Sequence, residues 1–259
     1  MSSPLLCLRN IYAGYKAKTV VKDVSFEVRA GEFCALLGLN GSGKTTLLKA
    51  VCGLLPLKGG SCLVEGTDCT ELSEYKRARY ISYIPQRHSK LAGVCVLDAV
   101  LMGFYSGLGV FEFPSAQDKR LARAALEDIG FAHLEAEDFS KLSEGQKQMV
   151  ILVRTLIQNT PVMLMDEPDS ALDFLNRRKM LGAVRELVHS QGKAGLVTLH
   201  EPGLALEYCD RLVLIDDGEI VSNLDLTAAS GAEIEACLSK IYGDITLLKH
   251  ENSYVMFSR

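Results

Sequence analysis

The sequence has no tryptophan, only seven prolines among 259 residues, and no apolar run near the ~20 residues a bilayer span requires. Without such a run, a membrane role must come through a partner chain. Met1-Ser2-Ser3-Pro4 carries neither a basic segment nor an apolar signal core, so the chain is expected to stay in the compartment where it is made. Basic excess is also missing: 28 Lys and Arg stand against 32 Asp and Glu, a formal net charge of −4. Nothing here neutralises a phosphate backbone, which excludes nucleic acid as a main partner. The eight cysteines include no Cys-x-x-Cys pair, and several sit among apolar neighbours, as Cys34 does in Phe33-Cys34-Ala35-Leu36-Leu37. That pattern predicts free thiols in a reducing compartment, not a disulfide framework or a metal centre.

Hydrophobic residues make up 48% and charged residues 23%, enough apolar content to bury a real core. No internal repeat, low-complexity tract or long linker interrupts the chain. Leu5 to Ile11, Val24 to Val28 and Phe33 to Leu37 read as strands, with a turn at Gly31-Glu32. The Phe33–Leu37 run is apolar throughout, as in a strand covered on both faces. Between about Arg87 and Thr160 the periodicity turns helical. Ser115 is placed to cap a helix carrying Leu121, Ala122, Ala125, Leu126 and Ile129 and ending at Gly130; Met149, Leu152, Val153 and Leu156 mark another. Strand–helix alternation resumes after Pro161, with strands at Val162–Met165, Gly195–Leu199 and Leu212–Ile215, helices at Leu175–Ser190 and Gly203–Tyr208, and a hairpin turn at Asp217-Gly218. This order predicts an α/β fold with a mainly parallel sheet and a helical insertion. The tail from Ala232 reads as a helix to about Tyr242, then two edge strands.

Gly38-Leu39-Asn40-Gly41-Ser42-Gly43-Lys44-Thr45 fits the phosphate-loop pattern and lies between a strand and a helix. Its glycines let backbone N–H groups curl around β- and γ-phosphates, and the helix that begins there aims its positive dipole end at them. Lys44 supplies a mobile cation for the γ-phosphate, and the Thr45 hydroxyl can ligate Mg²⁺. Val162-Met163-Leu164-Met165-Asp166-Glu167 carries two carboxylates to the C-terminal end of a buried strand, where open α/β sheets hold their ligands. Asp166 is placed to hold Mg²⁺ through its water shell, and Glu167 to polarise an attacking water as general base. Leu142-Ser143-Glu144-Gly145-Gln146 opens the helix of Met149, making a second anion site at a helix N-terminus.

With these motifs in this order the chain resembles the ATPases of the ABC family along almost its full length. In that family's terms, Gly38 to Thr46 is the Walker A loop and Val162 to Glu167 is Walker B. Leu142 to Gln146 is similar to the signature motif, usually Leu-Ser-Gly-Gly-Gln. The resemblance implies that Gln86, in Tyr83-Ile84-Pro85-Gln86, senses Mg²⁺ and links the core to the helical block. It makes Ser170-Ala171-Leu172-Asp173 the D-loop and His200 the switch histidine that touches the γ-phosphate. Tyr15, or alternatively Tyr12, would stack on adenine. ATP would contact Gly38, Asn40, Gly41, Ser42, Gly43, Lys44, Thr45 and Thr46, with Ser143, Gly145, Gln146 and Asp173 completing the pocket. Thr45, Gln86 and Asp166 would serve Mg²⁺; Lys44, Gln86, Glu167 and His200 would serve catalysis.

The resemblance implies one domain: a RecA-like P-loop core at residues 1–86 and 161–230 with an N-terminal antiparallel β subdomain, a helical subdomain at 87–160, and a C-terminal helix and strands at 231–259. It further implies a head-to-tail dimer of identical chains with ATP sandwiched between them. Integral membrane permease subunits would be the other partners, with a substrate-binding protein beyond them and the ATPase on the cytoplasmic face of the cell membrane. Glu144 departs from the family's glycine, Asp169 stands where Thr is frequent, and Glu201-Pro202 follows His200 where Asp is common. None of these removes a catalytic group. Leu101 to Tyr105, Phe113-Pro114-Ser115 and Leu172 to Asn176 resemble the ATPases of iron-siderophore, haem and cobalamin importers. Zinc and manganese importers share the first stretch. A cytosolic ABC ATPase of iron–sulfur cluster assembly is an alternative of another class. The absence of Asn-Lys-x-Asp disfavours a GTPase, and 259 residues leave no room for the coiled coil of DNA-repair relatives.

Overall fold

The computed structural model describes residues 4–86, 91–109, 111–250 and 253–258. The Met1–Ser3 start and the Arg87 boundary of the helical block lie outside them. β1 (Pro4–Tyr15) and β2 (Lys18–Arg29) form an antiparallel hairpin, followed by β3 (Glu32–Leu37), α1 (Lys44–Val51), β4 (Leu57–Val64) and β5 (Thr67–Asp68). The short α2 (Glu74–Arg77) leads to β6 (Ile81–Ile84). Helices α3 (Val96–Leu101), α4 (Ala116–Asp128) and α5 (Glu144–Gln158) come next, before β7 (Val162–Asp166) and α6 (Phe174–Gln191). Then follow β8 (Ala194–Thr198), α7 (Pro202–Tyr208), β9 (Arg211–Asp216), β10 (Glu219–Asp225), α8 (Gly231–Tyr242), β11 (Ile245–His250) and β12 (Ser253–Ser258).

The central sheet has the order β10-β9-β3-β8-β7-β6, parallel except for β10, which returns beside β9 through the Asp217-Gly218 turn. A second, antiparallel sheet has the order β2-β1-β4-β5. The apolar strands of the central sheet feed two cores in strict alternation. Phe33, Ala35 and Leu37 of β3 belong to the core shared with the helices, whereas Cys34 and Leu36 belong to the core facing the antiparallel sheet and α1. β7 repeats this with Met163 and Met165 on one side and Val162 and Leu164 on the other. A strand sandwiched between two layers needs apolar residues at every position, which is why these segments do not alternate with polar ones. Each fully buried Leu, Ile, Val or Phe there contributes roughly 1.5–3 kcal/mol.

Ser115 caps α4 through a reciprocal capping box with Asp118, and Gly130 follows the helix end at φ +78°, the left-handed conformation that glycine adopts without penalty. In the tail, α8 ends at Tyr242 and two strands follow; among the described residues β11 and β12 pair with each other as a separate hairpin that rests on α8 and α7. No helix of the described residues is long and apolar enough to cross a membrane.

All eight cysteines are free; six are buried, and Cys52 and Cys95 are half-buried. Burial pushes the Cys52 thiol up to about 11 and that of Cys62 up to about 12. Ellman's reagent at pH 8 is therefore expected to titrate eight thiols in guanidinium but to react promptly with no more than Cys52 and Cys95 in the native protein. Prompt native labelling of Cys34 or Cys209 would contradict the two-core packing.

Candidate active site

The C-terminal ends of four adjacent parallel strands converge on one rim of the central sheet. β3 runs into the loop from Gly38, β8 ends at Thr198 just before His200, β7 ends at Asp166, and β6 leads to Gln86. Register does the positioning: Thr198 pairs with Asp166 on one side and with Leu36 on the other.

The loop requires its glycines. A Cβ on Gly38 would meet the Ile215 carbonyl at 2.2 Å and the Ser42 hydroxyl at 2.5 Å, and Gly43, directly before α1, has φ +109°. The Gly218 N–H donates to the Ser42 carbonyl at 3.0 Å, and the Lys22 N–H donates to the Gly218 carbonyl at 2.8 Å, so the β9–β10 turn braces the loop from outside. Lys44 is 6% exposed, and its Nζ donates to the Gly38 and Leu39 carbonyls at 2.7 and 3.1 Å. Burial draws the Lys44 ammonium below its ordinary pKa, opposed by the charges of Glu167 and Asp166. The buried Ser42 Oγ has no hydrogen-bond partner among the described residues. A cleft of about 210 Å³ opens over Asn40, Gly41, Gly43, Lys44, Thr45, Thr46 and Glu167, with Val20 at its side.

Asp166 collects three hydroxyls. Thr45 and Thr198 each donate to Oδ1 at 3.0 Å, and Tyr83 donates to Oδ2 at 3.3 Å. Burial pushes its carboxyl above the ordinary value; the threonine bonds pull it down and Glu167 adds to the rise. The Tyr83 hydroxyl is raised by its own burial first and by Asp166 next, with Tyr15 near enough to contribute. Glu167 is 6% exposed and adopts φ +48°, a left-handed conformation that side-chain-bearing residues rarely hold. Its N–H donates to Thr198 Oγ1 at 2.8 Å, fixing the strained residue. The Glu167 carboxylate accepts a hydrogen bond from the Gln86 amide, and His200 Nε2 lies 2.7 Å from the same oxygen.

Thr198 and Tyr83 are the residues that the sequence reading missed. A threonine closing an otherwise apolar strand just before His200 is the only local signal for the first; Tyr83 lies in the same short segment as Gln86 but has no motif of its own. Thr198→Val keeps the shape but removes the donor to Asp166 and strands the buried Glu167 N–H. We expect a loss of about 2–3 kcal/mol in urea unfolding, since an unpaired buried group costs roughly 1–3 kcal/mol beyond the lost bonds. A change under about 0.5 kcal/mol would show that this hydroxyl supports neither carboxylate.

The structure does not bring every sequence candidate to this rim. Ser143 caps α5, accepting from the Gln146 N–H at 3.3 Å while its own N–H donates to Gln146 Oε1 at 2.9 Å. Ser143, Gly145, Gln146 and Asp173 line a separate cleft of about 500 Å³ that shares no residue with the phosphate loop's. Gly145 lies close to the D-loop: a Cβ there would meet the Ala171 carbonyl at 3.1 Å. Glu144 lines the same cleft and pairs with Lys147 of its own helix at 2.7 Å. Tyr15 is 48% exposed near Tyr83, whereas the Tyr12 ring packs over Gly59.

The donors at the rim fit a triphosphate with a hard cation. Thr45, Asp166 and Gln86 offer hydroxyl, carboxylate and amide oxygens, the chemistry Mg²⁺ takes. The Ser42 hydroxyl, unpartnered among the described residues, and the glycines Gly41 and Gly43 beside it suit phosphate oxygens. No cluster of three His, Cys, Asp or Glu able to hold a transition metal exists among the described residues.

A family model described as ABC transporter matches residues 21–170. A Helicobacter pylori protein named for iron chelatin transport, as an ATP-binding protein, is 33% identical across 98% of this chain and 99% of its own length. The manganese transport system ATP-binding protein of Bacillus subtilis is 36% identical across 80% of this chain and 82% of its own. Among solved structures, a chain of a transporter described as metal-chelate type, in an inward-facing conformation, superposes with a TM-score of 0.79 at 25% identity, covering 98% of this chain and 96% of that one.

Proposed function

Because this chain belongs to the ABC transporter family as an ATP-hydrolysing subunit, we propose that it powers an importer of iron chelates, haem or cobalamin through a separate membrane permease. The observation that carries the reading is the single rim where Lys44, Thr45, Asp166, Glu167, His200 and Gln86 meet, on a chain similar throughout to an iron chelatin transport ATP-binding protein. The manganese relative favours a second reading, in which the cargo is a bare divalent metal such as manganese or zinc.

Two copies would work together. The loop of one copy holds ATP, and Ser143, Gly145 and Gln146 of the other close over the γ-phosphate, since one chain keeps these groups in separate clefts. Lys44 leaves the loop carbonyls for the β- and γ-phosphate oxygens, and the N–H groups at the start of α1 complete the cradle. Tyr15 stacks on adenine. Thr45, Asp166 and Gln86 hold Mg²⁺, which when bound neutralises phosphate charge. Glu167 Oε2 accepts the proton of the attacking water. His200 moves from Glu167 to the γ-phosphate, donating to its oxygens as charge builds there. Loss of the γ-phosphate removes the bonds that bridge the copies, and they separate.

Opening and closing would swing the helical block, residues 87–160, against the core at 1–86 and 161–230, with 231–259 as an appended element. A groove of about 320 Å³ lined by Tyr75, Met102, Tyr105, Arg154 and Gln158 suits a short cytoplasmic helix of the permease. Arg154, drawn below its ordinary pKa by burial, forms no ion pair among the described residues, so a carboxylate on that helix would complement it. The chain would then sit on the cytoplasmic face of the membrane, with a substrate-binding protein feeding the far side. Affinity purification from detergent-solubilised membranes is expected to bring down a polytopic protein. Vesicles reconstituted with both should import labelled iron chelate, haem or cobalamin; import of manganese alone selects the second reading, and the absence of any polytopic partner contradicts both.

A further inference from the structure

Two of the family departures in the sequence, Asp169 and Glu201, meet in space at a residue no motif names. Arg177, in the first turn of α6, hydrogen-bonds Glu201 Oε1 through Nη1 at 2.5 Å, and its Nε lies 3.4 Å from Asp169 Oδ2, an ion-pair contact without a hydrogen bond. Asp169 lies two residues after Glu167, and Glu201 directly follows His200. The loops bearing Glu167 and His200 are thus joined twice: directly at 2.7 Å, and again through Arg177. Asp169 is 3% exposed and its Oδ1 has no hydrogen-bond partner, so the guanidinium is the one cation that the ion pairs among the described residues bring to it. Glu167 faces His200, while Asp169 and Glu201, carried by the same two loops, both face Arg177. Without the guanidinium, the buried Asp169 carboxylate would face Glu201 with no cation between them.

We propose that Arg177 is a positioning residue, holding the Glu167 loop and the His200 loop in register while His200 is released from Glu167 toward the substrate. The proposal rests on the ATPase reading above. If His200 turns from Glu167 toward a phosphate, as the ATPase reading has it, the second link preserves the spacing of base and histidine during turnover. Arg177 touches neither Lys44 nor the phosphate loop, so its removal should slow the chemical step and leave ATP capture intact.

The test is steady-state ATP hydrolysis and Mg-free ATP affinity for Arg177→Met, Glu201→Gln and the double variant. The expected result is a kcat about tenfold or more below the parent's with KM and Kd within about threefold, because misplacement of a reacting group lowers rate without lowering capture. The double variant should be no slower than Arg177→Met alone, since both changes break one link. An unchanged kcat in Arg177→Met, a loss confined to KM, or multiplicative losses in the double variant would overturn the proposal. Should Arg177→Met fail to fold, Glu201→Gln decides it, because that carboxylate is 61% exposed and dispensable for packing: a lowered kcat supports the link and an unchanged one overturns it. A parent chain that hydrolyses no ATP would instead sink the ATPase reading itself.

Discussion

Lys44→Ala should weaken Mg-free ATP binding about 100-fold. An ammonium bonded to phosphate oxygens contributes roughly 1.5–3 kcal/mol per charge-assisted bond, and a loss near 3 kcal/mol is about 150-fold in Kd. The side chain is 6% exposed and bonds only loop carbonyls, so the substitution trims the loop without opening a core. Alanine is also a strong helix former. The folded state should persist, and isothermal calorimetry should report lost affinity in a protein with parental circular dichroism. Parental affinity would remove the phosphate-loop assignment.

Glu167→Gln should lower turnover by roughly 10²–10⁴-fold, the contribution of a general base, while leaving nucleotide capture intact. The glutamine amide has the same shape and inherits the strained φ of +48° and the backbone bond to Thr198. It cannot take the proton of water. Nucleotide then persists at the rim, and the variant should elute as a dimer with ATP and as a monomer without it. Turnover within about threefold of the parent would show that another group is the base. A monomer under saturating ATP would separate the catalytic assignment, which could stand, from the sandwich, which would not.

How much of this was legible in the sequence depended on how local each feature is. The phosphate loop is written in consecutive residues because its geometry is a backbone property: the positive φ of Gly41 and Gly43 and the close approach at Gly38 each leave room for no other residue without strain. The two-faced strands were legible because burial on both sides forbids polar alternation. Thr198 was not legible. Its role comes from β8 lying between β3 and β7, a strand order that no short stretch encodes. Arg177 escaped for the same reason, since its carboxylates come from loops after two different strands. The C-terminal strands were legible as strands but not in their pairing, which α7 and α8 settle by packing against the hairpin.

A nucleotide shared by two identical chains is the centre of this mechanism. The direct measurement is a crystal structure of the Glu167→Gln protein grown with ATP. It should show Ser143 of one copy hydrogen-bonded to the γ-phosphate held by Lys44 of the other, twice, about a two-fold axis. ATP bound at the phosphate loop with the helix of Ser143 turned to solvent, and no second chain over the γ-phosphate, would contradict it.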